Sequence, residues 1–251
     1  MINRRFIEEL SMFLKSLARW SATLGLAGSA LLGTVLGAEL PVWALTEQEI
    51  QERLQSIPVF TLTDAQGSPL VATEGDDSVA GAFISLEDAE AFLNNLQQRN
   101  PDIGGQVRVV PVALSDIYQF NNDSAEQNED VTFAYVPMDE QVQRAQSILQ
   151  EDNPSANVEN FRGVPLFIPR SAEQEGYLTI EVEGERFVPF FFEEEHLKQQ
   201  VGDMPVDIEV VTLEGVIQAF EADDSEADEF LKQILLVPSR ESLQFLQSTS
   251  Q

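Results

Sequence analysis

The chain has 251 residues, 43 of them acidic against 14 basic, with one histidine and no cysteine. A formal charge of −29 makes nucleic acid and other polyanions poor partners, because phosphate binding needs Lys and Arg to release counterions. Zero Cys removes thiol catalysis, disulfides and thiolate metal sites, and a single His removes multi-histidine metal sites, while a hydrophobic fraction of 43% still suffices for a core.

Residues 1–44 differ in kind from the rest. Arg4, Arg5, Lys15 and Arg19 open the chain, an uncharged run rich in Leu, Gly and Ala follows from Ser21 to Gly37, and Val42 and Ala44 supply small residues after Pro41. This three-part pattern reads as an export signal cut after Ala44. An uncleaved anchor is the other reading, although the run falls short of the roughly 20 apolar residues that span a bilayer. The expected organisation is a signal peptide over 1–44, a first half over 45–150 and a second half over 151–251.

In the first half, Thr46 and Glu49 have capping-box spacing, and Ile50 and Leu54 share one face of the helix that follows. Ile57 to Thr63 reads as a strand, turned by Asp64 to Pro69. Ala80 to Ile84 is a buried strand, and Ser85 caps a helix from Leu86 to about Gln98 that places Leu86, Ala89, Phe92, Leu93 and Leu96 inward. Val107 to Val112 is a strand, Leu114 to Phe120 a short helix, and Asn121 to Asp130 a loop, since it lacks apolar periodicity. Val131 to Val136 and a helix from Asp139 to Leu149 close the half.

The second half carries three strands, VPLFI, GYLTIEV and RFVPFFF, within Gly163 to Glu195. Helix Glu194–Val201, strand Ile208–Leu213 and helix Leu213–Phe220 follow, with Phe230–Leu236 and Ser239–Leu246 as closing helices. Much of this is written once already. Ile57-Pro58-Val59-Phe60 anticipates Val164-Pro165-Leu166-Phe167, and Ala82-Phe83-Ile84 anticipates Pro189-Phe190-Phe191, both at a spacing of 107. Ile117 to Phe120 anticipates Ile217 to Phe220 at 100, and Tyr135-Val136-Pro137 anticipates Leu236-Val237-Pro238 at 101. A period near 100 exceeds that of solenoid repeats and implies a duplicated α/β half, each copy a small sheet packed with helices.

No recognised catalytic motif is present: neither a G-x-S-x-G elbow, nor a phosphate loop, nor a dinucleotide fingerprint. His196 reads as a solvated or structural residue. Asp223, Asp224, Glu226 and Asp228 lack the glycine turn and spacing of a calcium loop and read as a solvated acidic linker. No enzyme, metal or cofactor is expected. The unusual feature is aromatic: Phe187, Phe190, Phe191 and Phe192 crowd six positions. Alternation puts Phe190 and Phe192 on one strand face and Phe191 on the other. Either both faces are core, or one lines an apolar groove.

The segments LQSIPVFTLTDAQGSPL, FISLEDAEAFL, VTFAYVP with Gln141-Val142, FRGVPLF, GYLTI and PFFFEEEHL resemble the Tic22 family of chloroplast and cyanobacterial proteins, in the right order over most of residues 50–220. The resemblance implies a two-winged α/β fold of two pseudo-symmetric halves. It also implies a chaperone-like, non-enzymatic factor in protein translocation and outer-membrane biogenesis, exported to the periplasm, with thylakoid association allowed, or to the equivalent chloroplast intermembrane space. Its expected partners are unfolded precursor proteins and the periplasmic domains of an Omp85-type barrel, with peripheral membrane contact allowed. Candidate client-groove residues are Phe83, Ile84, Phe190, Phe191 and Phe192. The rival is a structural adaptor whose acidic surface docks a translocon or assembly protein.

Overall fold

Thr46 and Glu49 close the expected box at the start of α1 (Glu47–Leu54). The Thr46 hydroxyl accepts from the Glu49 N–H at 3.3 Å, and the Glu49 carboxylate accepts from the Thr46 N–H at 2.8 Å. The computed structural model describes residues 45–74, 77–127, 131–154, 158, 161–172, 176–182, 184–222 and 228–249. The expected signal peptide and most of the acidic segment Glu221–Glu229 lie outside the described residues.

One motif is then laid down twice. The first half runs β1 (Pro58–Thr63), β2 (Val71–Glu74), β3 (Asp77–Phe83), α2 (Leu86–Arg99), the single turn α3 (Pro101–Gly104), β4 (Arg108–Ala113), α4 (Leu114–Gln127), β5 (Val131–Val136) and α5 (Asp139–Asp152). The second runs β6 (Pro165–Ser171), β7 (Ile180–Val182), β8 (Glu185–Phe191), α6 (Glu194–Val201), β9 (Val206–Thr212), α7 (Leu213–Glu221), α8 (Asp228–Leu231), β10 (Ile234–Val237) and α9 (Arg240–Thr249). The sheets have the same order, β4-β1-β3-β5 and β9-β6-β8-β10, with β2 and β7 as short arms beside β3 and β8. Pairing is antiparallel except for β3–β5 and β8–β10. The chain is a duplicated α/β protein.

Strand register corrects the repeat by one residue in two places. Phe60 lies opposite Phe83, and its counterpart Phe167 lies opposite Phe191, so β3 and β8 correspond at 108 rather than 107. The Leu114 N–H bonds the Ile57 carbonyl as the Leu213 N–H bonds that of Val164, so α4 and α7 correspond at 99 rather than 100. The offset of 101 holds: the Ile84 N–H bonds the Val136 carbonyl as the Phe192 N–H bonds that of Val237. In strands a slip of one residue exchanges the faces. Phe83 therefore corresponds to Phe191, Ile84 to Phe192, and Ala89 to Leu197.

Two expected elements also differ. Asn121 to Gln127 continues α4 instead of forming a loop, and Asn121 turns its amide onto β5, donating to the Phe133 carbonyl at 3.0 Å and accepting from the Phe133 N–H at 2.7 Å. Ile234 to Val237 is a strand rather than the end of a helix, because it fills beside β8 the slot that β5 fills beside β3.

The core has three parts. The central one is shared by both halves. Val59, Ala82 and Ile84 of the first sheet and Leu166, Ile168, Phe190 and Phe192 of the second meet helices α1, α4 and α7 there. Each outer face is covered partly by a helix of the other half. Phe60, Leu62 and Phe83 pack under α2 and under Phe245 of α9, whose ring stands edge-on to Phe60 at 5.5 Å. Phe167 and Phe191 pack under α6 and under Ala145 and Ile148 of α5. The last helix of each half is thus exchanged.

Glu241 fastens α9 to the first half. Its carboxylate accepts from the Ser85 hydroxyl at 2.9 Å and from the N–H groups of Leu86 and Glu87 at 3.0 Å, satisfying free donors at the start of α2. Glu241→Ala should lower the unfolding free energy by about 1–2 kcal/mol, read as a drop in urea midpoint at constant slope. Glu241→Gln, which keeps an acceptor, should recover part of the loss, and an unchanged midpoint in the alanine variant would refute the latch.

Candidate functional site

The glutamate run after β8 is where both exchanged helices are held. Glu193 takes the Arg240 Nε of α9 at 2.8 Å. Gln141 of α5 bridges the next two residues, accepting from the Glu194 N–H at 3.0 Å and donating to the Glu195 carboxylate at 3.0 Å. Arg144 reaches Glu195 at 3.2 Å, and Lys198 reaches Glu194 at 2.6 Å. Burial pushes the Glu195 carboxyl up, but donation from Gln141 and the Arg144 and Lys198 charges hold it below its ordinary value. The motif PFFFEEEHL therefore joins a core strand to an acidic buckle. Gln141 carries part of the family resemblance, but its role is not legible in the sequence, because nothing local marks a polar residue that caps a distant helix.

All five groove candidates lie in the core. Phe190 and Phe192 are 3% and 1% exposed on the central face with Ile84, whereas Phe191 is 3% exposed on the outer face. Phe83 lies in the outer core of the first half, its ring 5.4 Å from that of Phe92. The assignment of Phe83, Ile84, Phe190, Phe191 and Phe192 to an open groove is corrected: the central face is closed by the opposite half, and the outer faces by α5 and α9. His196 is buried with its ring 5.3 Å from Phe191 and plays a structural part.

The apolar surface that does remain open was not singled out by sequence. Ile180 and Val182 of β7 stand 39% and 41% exposed, and Met204, in the turn before β9, 53%. Alternation in a three-residue strand is too short a signal to separate an exposed face from a core one. A second unusual group is Glu214 at the start of α7. Its carboxylate accepts from the Val164 N–H at 3.1 Å, and burial pushes it up to about 7, against the lowering effect of its own N–H and that of Val164. A Cβ at Gly163, where φ is +96°, would stand 2.6 Å from this carboxylate, so the FRGVP turn requires glycine. Among the described residues no cluster of three or more His, Cys, Asp or Glu could hold a metal ion, and no helix is long and apolar enough to cross a membrane.

The repeated sheets, exchanged helices and acidic buckle define a pseudo-symmetric α/β protein of two interlocked halves. The sequence model of the Tic22-like family matches residues 4–248, and the chain belongs to that family. It is 26% identical to Protein TIC 22, chloroplastic, of Pisum sativum over 199 residues, 78% of this chain and 71% of that one. Identity to the protein of the same name in Arabidopsis thaliana is 24% over 208 residues, 79% of this chain and 70% of that one. The solved structure of Anabaena Tic22, described as a protein of protein transport, superposes with a TM-score of 0.72 at 30% identity, covering 81% of this chain and 97% of that one. Tic22 from Plasmodium falciparum shares the fold, with a TM-score of 0.65 at 23% identity over 80% of this chain and 97% of that one.

Proposed function

We propose that this chain is an exported protein-transport factor that holds unfolded precursor segments on their way to outer-membrane assembly, working in the periplasm or an equivalent intermembrane space. The observation that carries the reading is the likeness, over 81% of this chain and 97% of the other, to Anabaena Tic22, described as a protein of protein transport. The chemistry is consistent with it: holding a segment needs no cofactor or catalytic group, and a charge of −29 keeps a loaded complex apart from its neighbours. Partners are unfolded precursors, with the periplasmic domains of an Omp85-type barrel as the receiving site. Because the phenylalanines are buried, capture falls to surfaces that stay open, such as the Ile180–Val182 arm.

The burial of those same phenylalanines favours a second reading, an adaptor whose acidic surface docks one basic partner. Salt separates the two. An unfolded outer-membrane barrel protein, diluted from urea into the mature chain, should remain protected from aggregation, read by light scattering, at both low and high ionic strength. Protection abolished by salt would favour the adaptor, whose docking rests on charge alone, since exposed charges more than about 10 Å apart are screened at 0.1 M.

A further inference from the structure

Each sheet has two long edges, and three of the four are interrupted by particular groups. On β5 the Asn121 amide occupies both main-chain groups of Phe133. On β10 the outward carbonyl of Ile234 takes the Arg53 Nη1 at 2.9 Å. On β4, Pro111 has no N–H, and the Ala113 N–H is taken by the Asp116 carboxylate at 3.3 Å. These are the usual ways in which proteins blunt an edge.

The fourth edge, β9, has none of these devices. Its sequence VDIEVVT contains no proline. Its ladder with β6 is anchored at one end by the Leu213 N–H on the Val164 carbonyl at 2.8 Å and at the other by the Ala172 N–H on the Pro205 carbonyl at 3.3 Å. Antiparallel alternation between these anchors turns the main-chain groups of Asp207, Glu209 and Val211 toward β6, and those of Val206, Ile208 and Val210 outward. Among the described residues nothing bonds the outward N–H or carbonyl of Ile208 or Val210. The β9 side chains divide by face: Val206, Ile208 and Val210 join the core under α5, while Asp207 and Glu209 lie on the opposite face. Glu209 already meets Arg170 at 3.5 Å; Asp207 is exposed and has no ion pair among the described residues.

We infer that the β9 edge accepts an extended segment of a precursor polypeptide, alternately apolar and basic, as an additional strand. Main-chain bonds would supply sequence-tolerant affinity, apolar residues would continue the row of Ile208 and Val210, and Lys or Arg on the other face would meet Asp207 and Glu209. A second copy of this chain is disfavoured, because two β9 edges would bring their own acidic residues together. The inference rests on the reading of the protein as a holder of precursor segments.

The test uses the mature chain and a short labelled peptide of alternating Val and Lys, followed by fluorescence anisotropy. The expected result is binding that weakens about tenfold or more when Glu replaces Lys, and about tenfold when alternate peptide nitrogens are methylated in the frame that faces β9. Val210→Pro, which removes one outward N–H, should give a similar loss with circular dichroism unchanged; if that variant does not fold, the methylated peptides decide alone. Equal binding of parent and both methylated frames overturns the edge while leaving the transport reading standing. Failure to bind either the peptide or an unfolded barrel protein overturns both. A dimer in sedimentation that Val210→Pro dissolves also overturns it, assigning the edge to a second copy.

Discussion

Phe191→Ala should destabilise the protein by about 3–5 kcal/mol, the usual loss for a buried phenylalanine whose cavity is only partly refilled. The ring is 3% exposed, stands against His196 at 5.3 Å, and sits in the cluster of Phe167, Leu197 and Ala145. Ala145 belongs to α5, so the cavity would open at the seam between the halves and loosen the helix exchange as well as the sheet. Urea unfolding monitored by circular dichroism reads the effect, and Phe83→Ala, its counterpart in the first half, should behave alike. An open binding face predicts the contrary: truncation within about 0.5 kcal/mol of wild type and a loss confined to client capture. A shift that small for Phe191 would return these side chains to a groove.

The elements that sequence alone located are those whose signals are local. Thr46–Glu49, Ser85 and the Asp64–Pro69 turn each contain their own hydrogen-bonding partners, and Asp64 indeed accepts from the N–H groups of Gln66 and Ser68. The duplication was legible too, because β1 and β6 keep Pro and Phe at the same offset. Its register was not. A run such as Phe190-Phe191-Phe192 matches itself equally well one position along, and only cross-strand pairing distinguishes 107 from 108. The strand Ile234–Val237 was within reach of the sequence, since the match of Leu236-Val237-Pro238 to Tyr135-Val136-Pro137, the end of a strand, already implied one. The extension of α4 through Asn121 was invisible because what it serves, the edge of β5, lies 12 residues further on. Helix exchange is a tertiary fact. Nothing in α9 says that Glu241 must cap α2 rather than a helix of its own half.

The same reasoning predicts a pH dependence centred on Glu214, the place where the second half departs from the first. Ser115 starts α4 where Glu214 starts α7, so the carboxyl has no counterpart. Burial raises it from an ordinary 4.5 to about 7. The native state therefore holds the proton more tightly than the unfolded chain. The resulting stabilisation is complete below about pH 4.5 and is lost as pH rises through 7, with a ceiling of about 3 kcal/mol from a shift of this size. Glu214→Gln keeps an acceptor for the Val164 N–H without a charge. Subtracting its unfolding free energy from that of wild type cancels the other titrations. The difference should turn against wild type by about 2–3 kcal/mol between pH 5 and pH 8, and parallel profiles would refute it. The position makes the effect consequential, because Val164 directly precedes β6 and its carbonyl anchors the β6–β9 ladder. Deprotonation should thus loosen the end of the β6–β9 ladder first, and hydrogen exchange at Val164 and Leu213 should accelerate at pH 8 more than exchange within β1, after correction for the intrinsic rate.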